Sequence, residues 1–234
     1  MKIYYRIAQT FAFVLLFIAS VDVEAKQSPN QLLQEVHMKM AKVQDYTVNA
    51  GIRADIPLIK ILPVNAVIYF KQPDKLKLES KSIAVMPRQG FSDVAKIIMD
   101  STSYTAVATG TETIGSIQAQ IVSLIPSVDT EDLVLAKFWI DASANLIIKS
   151  QLTTRSSGTM TIEYFYGTQE AFGLPDKMIF TVDVKKFKIP KALASDLHSQ
   201  VKTPVVDEKK DKKGQIVINL KNYKINSGLK DSFF

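Results

Sequence analysis

The stretch VIYFKQPDKLKLES, residues 67–80, has the alternating polarity of two strands joined by a turn. In its first half Ile68 and Phe70 fall on one face, and in its second half Leu76 and Leu78 alternate with charged residues around a Pro-Asp turn. Successive side chains of a β-strand point to opposite faces, so each half has one apolar and one polar face. We therefore predict a hairpin of an antiparallel sheet that buries one face and exposes the other.

The residues before this hairpin predict a helix followed by a strand. Ser28 can cap a helix that begins at Pro29, with Gln31 three residues after the cap. From Tyr46 to Ile56 every even position is apolar, which indicates a strand with one buried face. The helix is expected to run for about four turns and to pack on the sheet through apolar residues at helical spacing. These are Leu32, Val36, Met40 and Val43.

The rest of the chain predicts further strands separated by turn residues. Short connections leave no room for the crossover helices of a parallel sheet, so we expect an antiparallel meander. The last strand carries Ile216, Ile218 and Leu220 on one face and is expected to close the free edge of the sheet. The predicted strands span residues 104–109, 118–125, 133–140, 146–153, 160–166, 178–185 and 215–225.

Two segments have more than one interpretation. Residues 91–99 predict a short amphipathic helix with Val94 and Ile98 on its apolar side, which suits either a lid over an open sheet or an ordinary covering helix. The apolar loop 58–62 lies between two prolines. Because apolar loops rarely lie free in water, it is either a rim element that touches a cavity or membrane, or a distorted continuation of the preceding strand.

The first 25 residues predict a cleaved secretory signal. Lys2 and Arg6 precede an apolar run, and Val23-Glu24-Ala25 has residues that suit a signal peptidase. The run is shorter than the roughly 20 residues that span a bilayer, although an uncleaved anchor is the alternative. We expect residues 26–234 to form a single domain, soluble in the periplasm, with 203–214 as a charged, solvated loop.

The composition and motifs argue against several classes of function. The chain has no cysteine and its two histidines lie far apart in the sequence. It has no metal-ligand spacing, no glycine-rich phosphate loop and no G-x-S-x-G motif, so we expect no enzyme, metal site or cofactor. The formal net charge is +6, but the lysine-rich segments lack the interleaved aromatic residues of a nucleic-acid surface. We therefore expect no nucleic-acid partner.

The predicted helix, the strand 46–56 and the hairpin 67–80 together resemble the outer-membrane lipoprotein carrier family, LolA, LolB and their relatives. Trp139-Ile140-Asp141, Asn145 and Ser156-Ser157-Gly158, followed by an aromatic strand, extend the resemblance into the second half. The resemblance implies a mainly β fold with short helices. In that fold a half-open, curved antiparallel sheet, an incomplete barrel, is covered by helices around a hydrophobic cavity that holds acyl chains.

One position departs from the family. In the best-known carrier a basic residue precedes the proline of the hairpin turn and helps to hold the lid closed, whereas this chain has Gln72. The sheet and cavity can persist with a different lid contact. The departure favours a diverged lipid binder.

Many predicted strands share one apolar face, but the sequence shows only two short helices to cover it. An acyl chain could fill the remaining space, and the resemblance implies that it does. We thus expect a periplasmic carrier, a monomer, that binds acyl chains of lipids or lipoproteins, meets inner- and outer-membrane proteins, and transfers its ligand towards the outer membrane. The alternative is an envelope-stress sensor or adaptor that contacts a membrane protein. The expected lipid-binding residues are Ile52, Ile68, Phe70, Leu78, Val94, Ile98, Ile162, Tyr164, Phe180 and Val182.

Overall fold

A computed structural model describes residues 27–57, 62–82, 94, 97–98, 100–127, 132–183 and 213–234. Several predicted features lie outside these residues. They are the signal peptide 1–25, the apolar loop apart from residue 62, most of the helix 91–99 and the charged loop 203–214 apart from its last two residues.

The first helix, α1, spans Pro29–Met40 and begins as predicted. The backbone N–H of Gln31 donates to Ser28 Oγ at 3.3 Å, and the Gln31 side chain accepts from the backbone N–H of Ser28 at 3.1 Å. This reciprocal pair satisfies two N–H groups that the helix cannot bond internally. The helix ends at Met40, so it is shorter than predicted and Val43 is buried beyond its end.

Within the described residues, ten strands form one open antiparallel sheet, which confirms the predicted fold class. The sheet order is β3-β2-β1-β10-β9-β8-β7-β6-β5-β4, so β4 to β9 form the expected meander. The strand bounds are β1 Asp45–Asp55, β2 Val64–Lys71, β3 Lys75–Ser80, β4 Tyr104–Ile114, β5 Ile117–Pro126, β6 Leu133–Asp141, β7 Leu146–Thr154, β8 Gly158–Tyr166, β9 Pro175–Asp183 and β10 Lys213–Ile225. Short 3₁₀ helices span Glu170–Phe172 and Asp231–Phe233.

The hairpin of β2 and β3 has the predicted register. Ile68 pairs with Leu78 and Phe70 pairs with Leu76, so all four side chains lie on one face. Ile68 and Phe70 are buried, and the two leucines pack partly buried against the same core. The polar face of β3 carries lysines along an edge of the sheet, which disfavours pairing with another chain.

The position of β10 differs from the prediction. This strand lies between β1 and β9 and joins the two halves of the sheet, instead of lying along a free edge. Ile216 pairs with Ala54 on one side and Phe180 on the other, and Ile218 pairs with Ile52 and Met178. Alternation identifies the buried face of a strand but does not identify its neighbours, and one neighbour of β10, β1, comes from the opposite end of the chain.

Side chains of α1, with Val94 and Ile98, cover the apolar face of the sheet, which we call the inner face. The opposite, outer face carries polar residues and a small cluster of Ala119, Trp139 and Ile148. Among the described residues, no helix has the length and apolar character needed to cross a bilayer.

Candidate ligand-binding cavity

A cavity lies under the end of α1, at the end of the sheet where β2 and β8 finish and β7 and β9 begin. Most of its wall is apolar. The lining residues are Val36, Lys39, Met40, Val43, Tyr46, Phe70, Gln72, Val94, Asn145, Leu146, Ile147, Tyr164, Tyr166, Phe172, Gly173, Leu174, Pro175, Met178, Leu220 and Tyr223.

The free volume of this cavity is about 110 Å³. An engineered protein cavity of about 150 Å³ accommodates a benzene molecule. The cavity therefore has room for a small part of an alkyl chain. A longer chain requires the end of α1, which we call the cover of the cavity, to move.

Aromatic rings form the wall beside β1. Tyr46 stacks on Phe70 with ring centroids 5.1 Å apart and meets the edge of Tyr223 at 5.6 Å. The Tyr223 hydroxyl donates to the carbonyl oxygen of Pro175 at 2.7 Å. Burial raises the pKa of both tyrosines above the ordinary value, so their side chains are neutral.

Two further tyrosines line the wall beside β7. The hydroxyl of Tyr164 lies 3.0 Å from Ser150 Oγ, and the hydroxyl of Tyr166 donates to the carbonyl oxygen of Ile147 at 2.8 Å. Burial raises the pKa of both phenols. Because both hydroxyls are bonded to the protein, the wall offers rings to a ligand.

Two side chains tie the end of α1 to the sheet. Gln72, in the β2–β3 turn, donates from Nε2 to the carbonyl oxygen of Val43 at 2.7 Å and approaches that of Met40 at 3.5 Å. Lys39 donates from Nζ to the carbonyl oxygen of Ala144, in the β6–β7 turn, at 2.7 Å. The cover of the cavity is thus held at both sides by hydrogen bonds to main-chain carbonyl groups.

The β6–β7 turn also supplies Asn145, whose side chain, unlike those of Gln72 and Lys39, has an atom without a hydrogen-bond partner. Asn145 has φ of 53°, the left-handed conformation that asparagine tolerates better than most residues. Its side-chain Oδ1 is buried and has no hydrogen-bond partner, and Asn145 is one of the residues that line the cavity. Within the part of the chain that the structure describes, no other buried side-chain oxygen or nitrogen lacks a partner.

The predicted lipid-binding residues divide into two groups. Phe70, Val94 and Tyr164 line the cavity. The others do not line this cavity, and Phe180 is fully buried in the main core cluster. Within this second group Leu78 is partly buried, and Ile52, Ile68, Ile98, Ile162, Phe180 and Val182 are buried.

Sequence reasoning missed the segment between β8 and β9. Phe172, Gly173 and Leu174 close one side of the cavity, and Gly173 has φ of 67°, which favours glycine. Two apolar residues in a connection between strands are the signal that could have identified this segment.

Neither a protein-family model nor a curated protein matches the sequence. Solved structures do share its fold. A domain described as an outer membrane lipoprotein-sorting protein, from Vibrio parahaemolyticus, is 9% identical with a TM-score of 0.57, and the match covers 87% of this chain and 94% of that domain. A LolA superfamily protein from Nitrosomonas europaea is 12% identical with a TM-score of 0.54, and the match covers 89% of this chain and 97% of that protein. The protein therefore has a LolA-like fold.

Proposed function

From this LolA-like fold and the apolar cavity under α1, we propose that the protein is a periplasmic carrier of acyl chains. It binds the chains of lipids or lipoproteins and transfers them towards the outer membrane. The likeness to a domain described as sorting outer membrane lipoproteins supports this direction of transfer. In this proposal the protein is an exported monomer that catalyses no reaction, holds no cofactor and exchanges its ligand with membrane proteins.

The observation that carries the proposal is an apolar cavity whose cover is held by two side-chain hydrogen bonds. The bonds are those from Gln72 to Val43 and from Lys39 to Ala144. A neutral hydrogen bond contributes about 0.5 to 1.5 kcal/mol and one from a charged group about 1.5 to 3 kcal/mol. Each buried methylene contributes about 0.8 kcal/mol. About three to six methylenes therefore offset the loss of these two bonds, and further methylenes offset the apolar contacts that the end of α1, such as Val36, gives up when it moves.

Exchange of the chain with a membrane is also energetically feasible. A methylene gains a similar free energy in an apolar cavity and in a bilayer. Transfer between the two is then close to neutral, and small differences between donor, carrier and acceptor set its direction.

Two methionines of α1 provide a matched test. Met40 lines the cavity, whereas Met38 is 54% exposed and does not. We expect Met40→Trp to fill the cavity and weaken binding of a fluorescent fatty acid at least tenfold, and Met38→Trp to leave it unchanged. Native mass spectrometry of the wild-type protein from a periplasmic extract should show bound lipid. Equal binding by both variants, or a wild-type protein free of lipid, would count against a carrier.

The small volume of the cavity favours a second candidate. A cavity of about 110 Å³ suits a domain that stays closed and uses its surface to contact a membrane protein, as a sensor or adaptor. In that case Met40→Trp should leave the interaction with the membrane protein intact. Pull-down from detergent-solubilised envelopes with the wild type and the variant would distinguish this role from carriage.

A further inference from the structure

A polar groove crosses the outer face of the sheet, on the side opposite the cavity. It has a volume of about 1020 Å³ and is lined by residues of β1, β2, β3 and β10, with Asn49, Asn65 and Asn219 among them. These side chains lie on the outer face, because neighbours in the same strands, such as Ala50 and Leu220, are buried in the core on the inner face. We call this feature the outer groove.

Three poor strand formers lie side by side in the middle of the outer groove. Gly51 of β1 is directly opposite Asn65 of β2 and Asn219 of β10. Glycine and asparagine are both depleted in strands, where β-branched and aromatic residues are favoured. The stability of the sheet therefore does not explain why these residue types meet here. Departures of this kind from local preference are expected at functional sites.

Gly51 is not required by the backbone conformation or by a lack of space. Its φ lies outside the left-handed region that favours glycine. A Cβ at this position would meet Asn65 Oδ1 at 3.8 Å, an ordinary contact, and no other atom of the described residues within 4 Å. A side chain would therefore fit, and it would stabilise the strand. A glycine kept inside a strand under these conditions indicates a place where a ligand comes close to the backbone.

The asparagines offer hydrogen bonds that the described part of the chain does not use. The side-chain amides of Asn49, Asn65 and Asn219 have no hydrogen-bond partner among the described residues. Each amide carries donors and an acceptor, and a sugar hydroxyl is likewise both donor and acceptor. Two adjacent hydroxyls of a pyranose ring can therefore bond one amide twice, while the C–H face of the ring packs on the bare backbone at Gly51.

The pairing of β1 and the charges of the groove disfavour other classes of ligand. An extended peptide binds a sheet by adding a strand to a free edge, whereas β1 is paired with β2 on one side and β10 on the other. Within the described lining, Lys81 and Lys221 are the only basic residues and Glu79 is the only acidic one, itself paired with Lys77 at 3.3 Å. A groove with so little net charge does not attract a polyanion such as a nucleic acid.

We propose that the outer groove binds an extended, β-1,4-linked oligosaccharide that crosses β2, β1 and β10. Its hydroxyl groups bond Asn65 and Asn219, and one ring lies over Gly51. Neighbouring strands are about 4.8 Å apart, and the rings of an extended β-1,4-linked chain repeat at a similar distance, so successive rings reach successive strands. The site lies on the opposite face of the sheet from the acyl-chain cavity and does not depend on the carrier function.

Two pentasaccharides of glucose provide a matched pair of ligands. Cellopentaose is β-1,4-linked and extended, whereas maltopentaose has the same composition but is α-1,4-linked and curved. Isothermal titration calorimetry with the wild-type protein would give both dissociation constants. We expect a single site for cellopentaose and at least tenfold weaker binding of maltopentaose, because a curved chain cannot bond both asparagines at once.

Gly51→Val fills the floor of the groove with a residue that strands favour. We expect this variant to melt at the wild-type temperature or above it, and to bind cellopentaose at least tenfold more weakly. Gln215→Val, at an exposed position of β10 outside the groove lining, is the control and should bind normally. A double variant, Asn65→Ala with Asn219→Ala, removes the amides and leaves the floor open, and it should weaken binding by a similar factor.

A wild-type protein that binds neither sugar, or both equally, would overturn the inference. Binding of cellopentaose that persists in Gly51→Val or in the double alanine variant would do the same. A marked loss of thermal stability in Gly51→Val would show that the chain itself already covers the glycine, and would overturn it as well.

Discussion

Gln72 Nε2 donates a hydrogen bond to the carbonyl oxygen of Val43 across 2.7 Å, and so ties the β2–β3 turn to the chain just after α1. In the best-known carrier of the family that this chain resembles, a basic residue at this position helps to hold the lid closed, and Gln72 in this chain therefore predicts a different lid contact. The structure shows that a neutral amide makes a link here between hairpin and helix.

Gln72→Glu replaces this donor with a carboxylate that faces a carbonyl oxygen. We expect it to lower the free energy of unfolding by about 1 to 3 kcal/mol and to loosen the cover, because Val43 loses its hydrogen-bond donor. Urea unfolding and the fluorescence of anilinonaphthalene sulfonate, which binds exposed apolar surface, would measure the two effects. Gln118→Glu, at an exposed position of β5, is the control. Identical results for the two variants would show that the Gln72 contact does not hold the cover.

Phe180 provides a test of the packed core. Its side chain is fully buried in the main cluster and does not line the cavity, so Phe180→Ala should lower the free energy of unfolding by about 3 to 5 kcal/mol. Phe165, on the adjacent strand, is 45% exposed, and Phe165→Ala should cost far less. Urea unfolding followed by the fluorescence of Trp139, on the outer face, reports both. A small loss at Phe180 would indicate that the cavity extends into this part of the sheet.

Alternation along the chain predicted the strands and their buried faces, but it could not separate core from cavity. Ile162 and Tyr164 lie on the same face of β8, two residues apart, yet only Tyr164 lines the cavity. The difference depends on what lies above each residue, namely the end of α1 and the segment before β9. Those contacts join residues distant in sequence, and no local pattern records them.

The unpaired acceptor and the two ties of the cover were also beyond sequence reasoning. In the sequence, Asn145 was one of the turn residues that carry the resemblance, and nothing local indicated that its Oδ1 is buried. Lys39 has the same character in the sequence as any surface lysine of a helix. Its role follows from the approach of the β6–β7 turn, which lies 105 residues farther along the chain.

Asp45 anchors the final segment of the chain to the start of β1. Its buried carboxylate accepts from the backbone N–H groups of Ser227, Gly228 and Leu229, at 2.8, 3.0 and 3.3 Å, and from the Ser227 hydroxyl at 3.0 Å. Burial acts to raise the pKa of this carboxyl, but the hydrogen bonds outweigh it and hold the pKa below the ordinary value.

Asp45→Asn should therefore destabilise the protein in a pH-dependent way. A carboxyl whose pKa is lowered by folding stabilises the protein above its unfolded pKa of about 3.9, and this contribution is lost as pH falls through the lower, folded pKa. We expect a loss of about 1 to 3 kcal/mol near neutral pH that shrinks towards about pH 2. Urea unfolding across this range would measure it, with the exposed Asp55→Asn as the control. A loss that stays constant with pH would contradict the role of the charge.

An acyl chain that enters the cavity under α1 must contact the methionine methyl groups that line it. Met40 and Met178 line the cavity, whereas Met38 is exposed and Met160 packs against the core elsewhere. In a protein labelled with ¹³C at its methionine methyl groups, bound dodecanoate should give intermolecular NOEs from its chain to the methyl groups of Met40 and Met178 and none to those of Met38 and Met160. The absence of NOEs to Met40 and Met178 at saturating ligand, or NOEs confined to Met38, would contradict entry of the chain into this cavity.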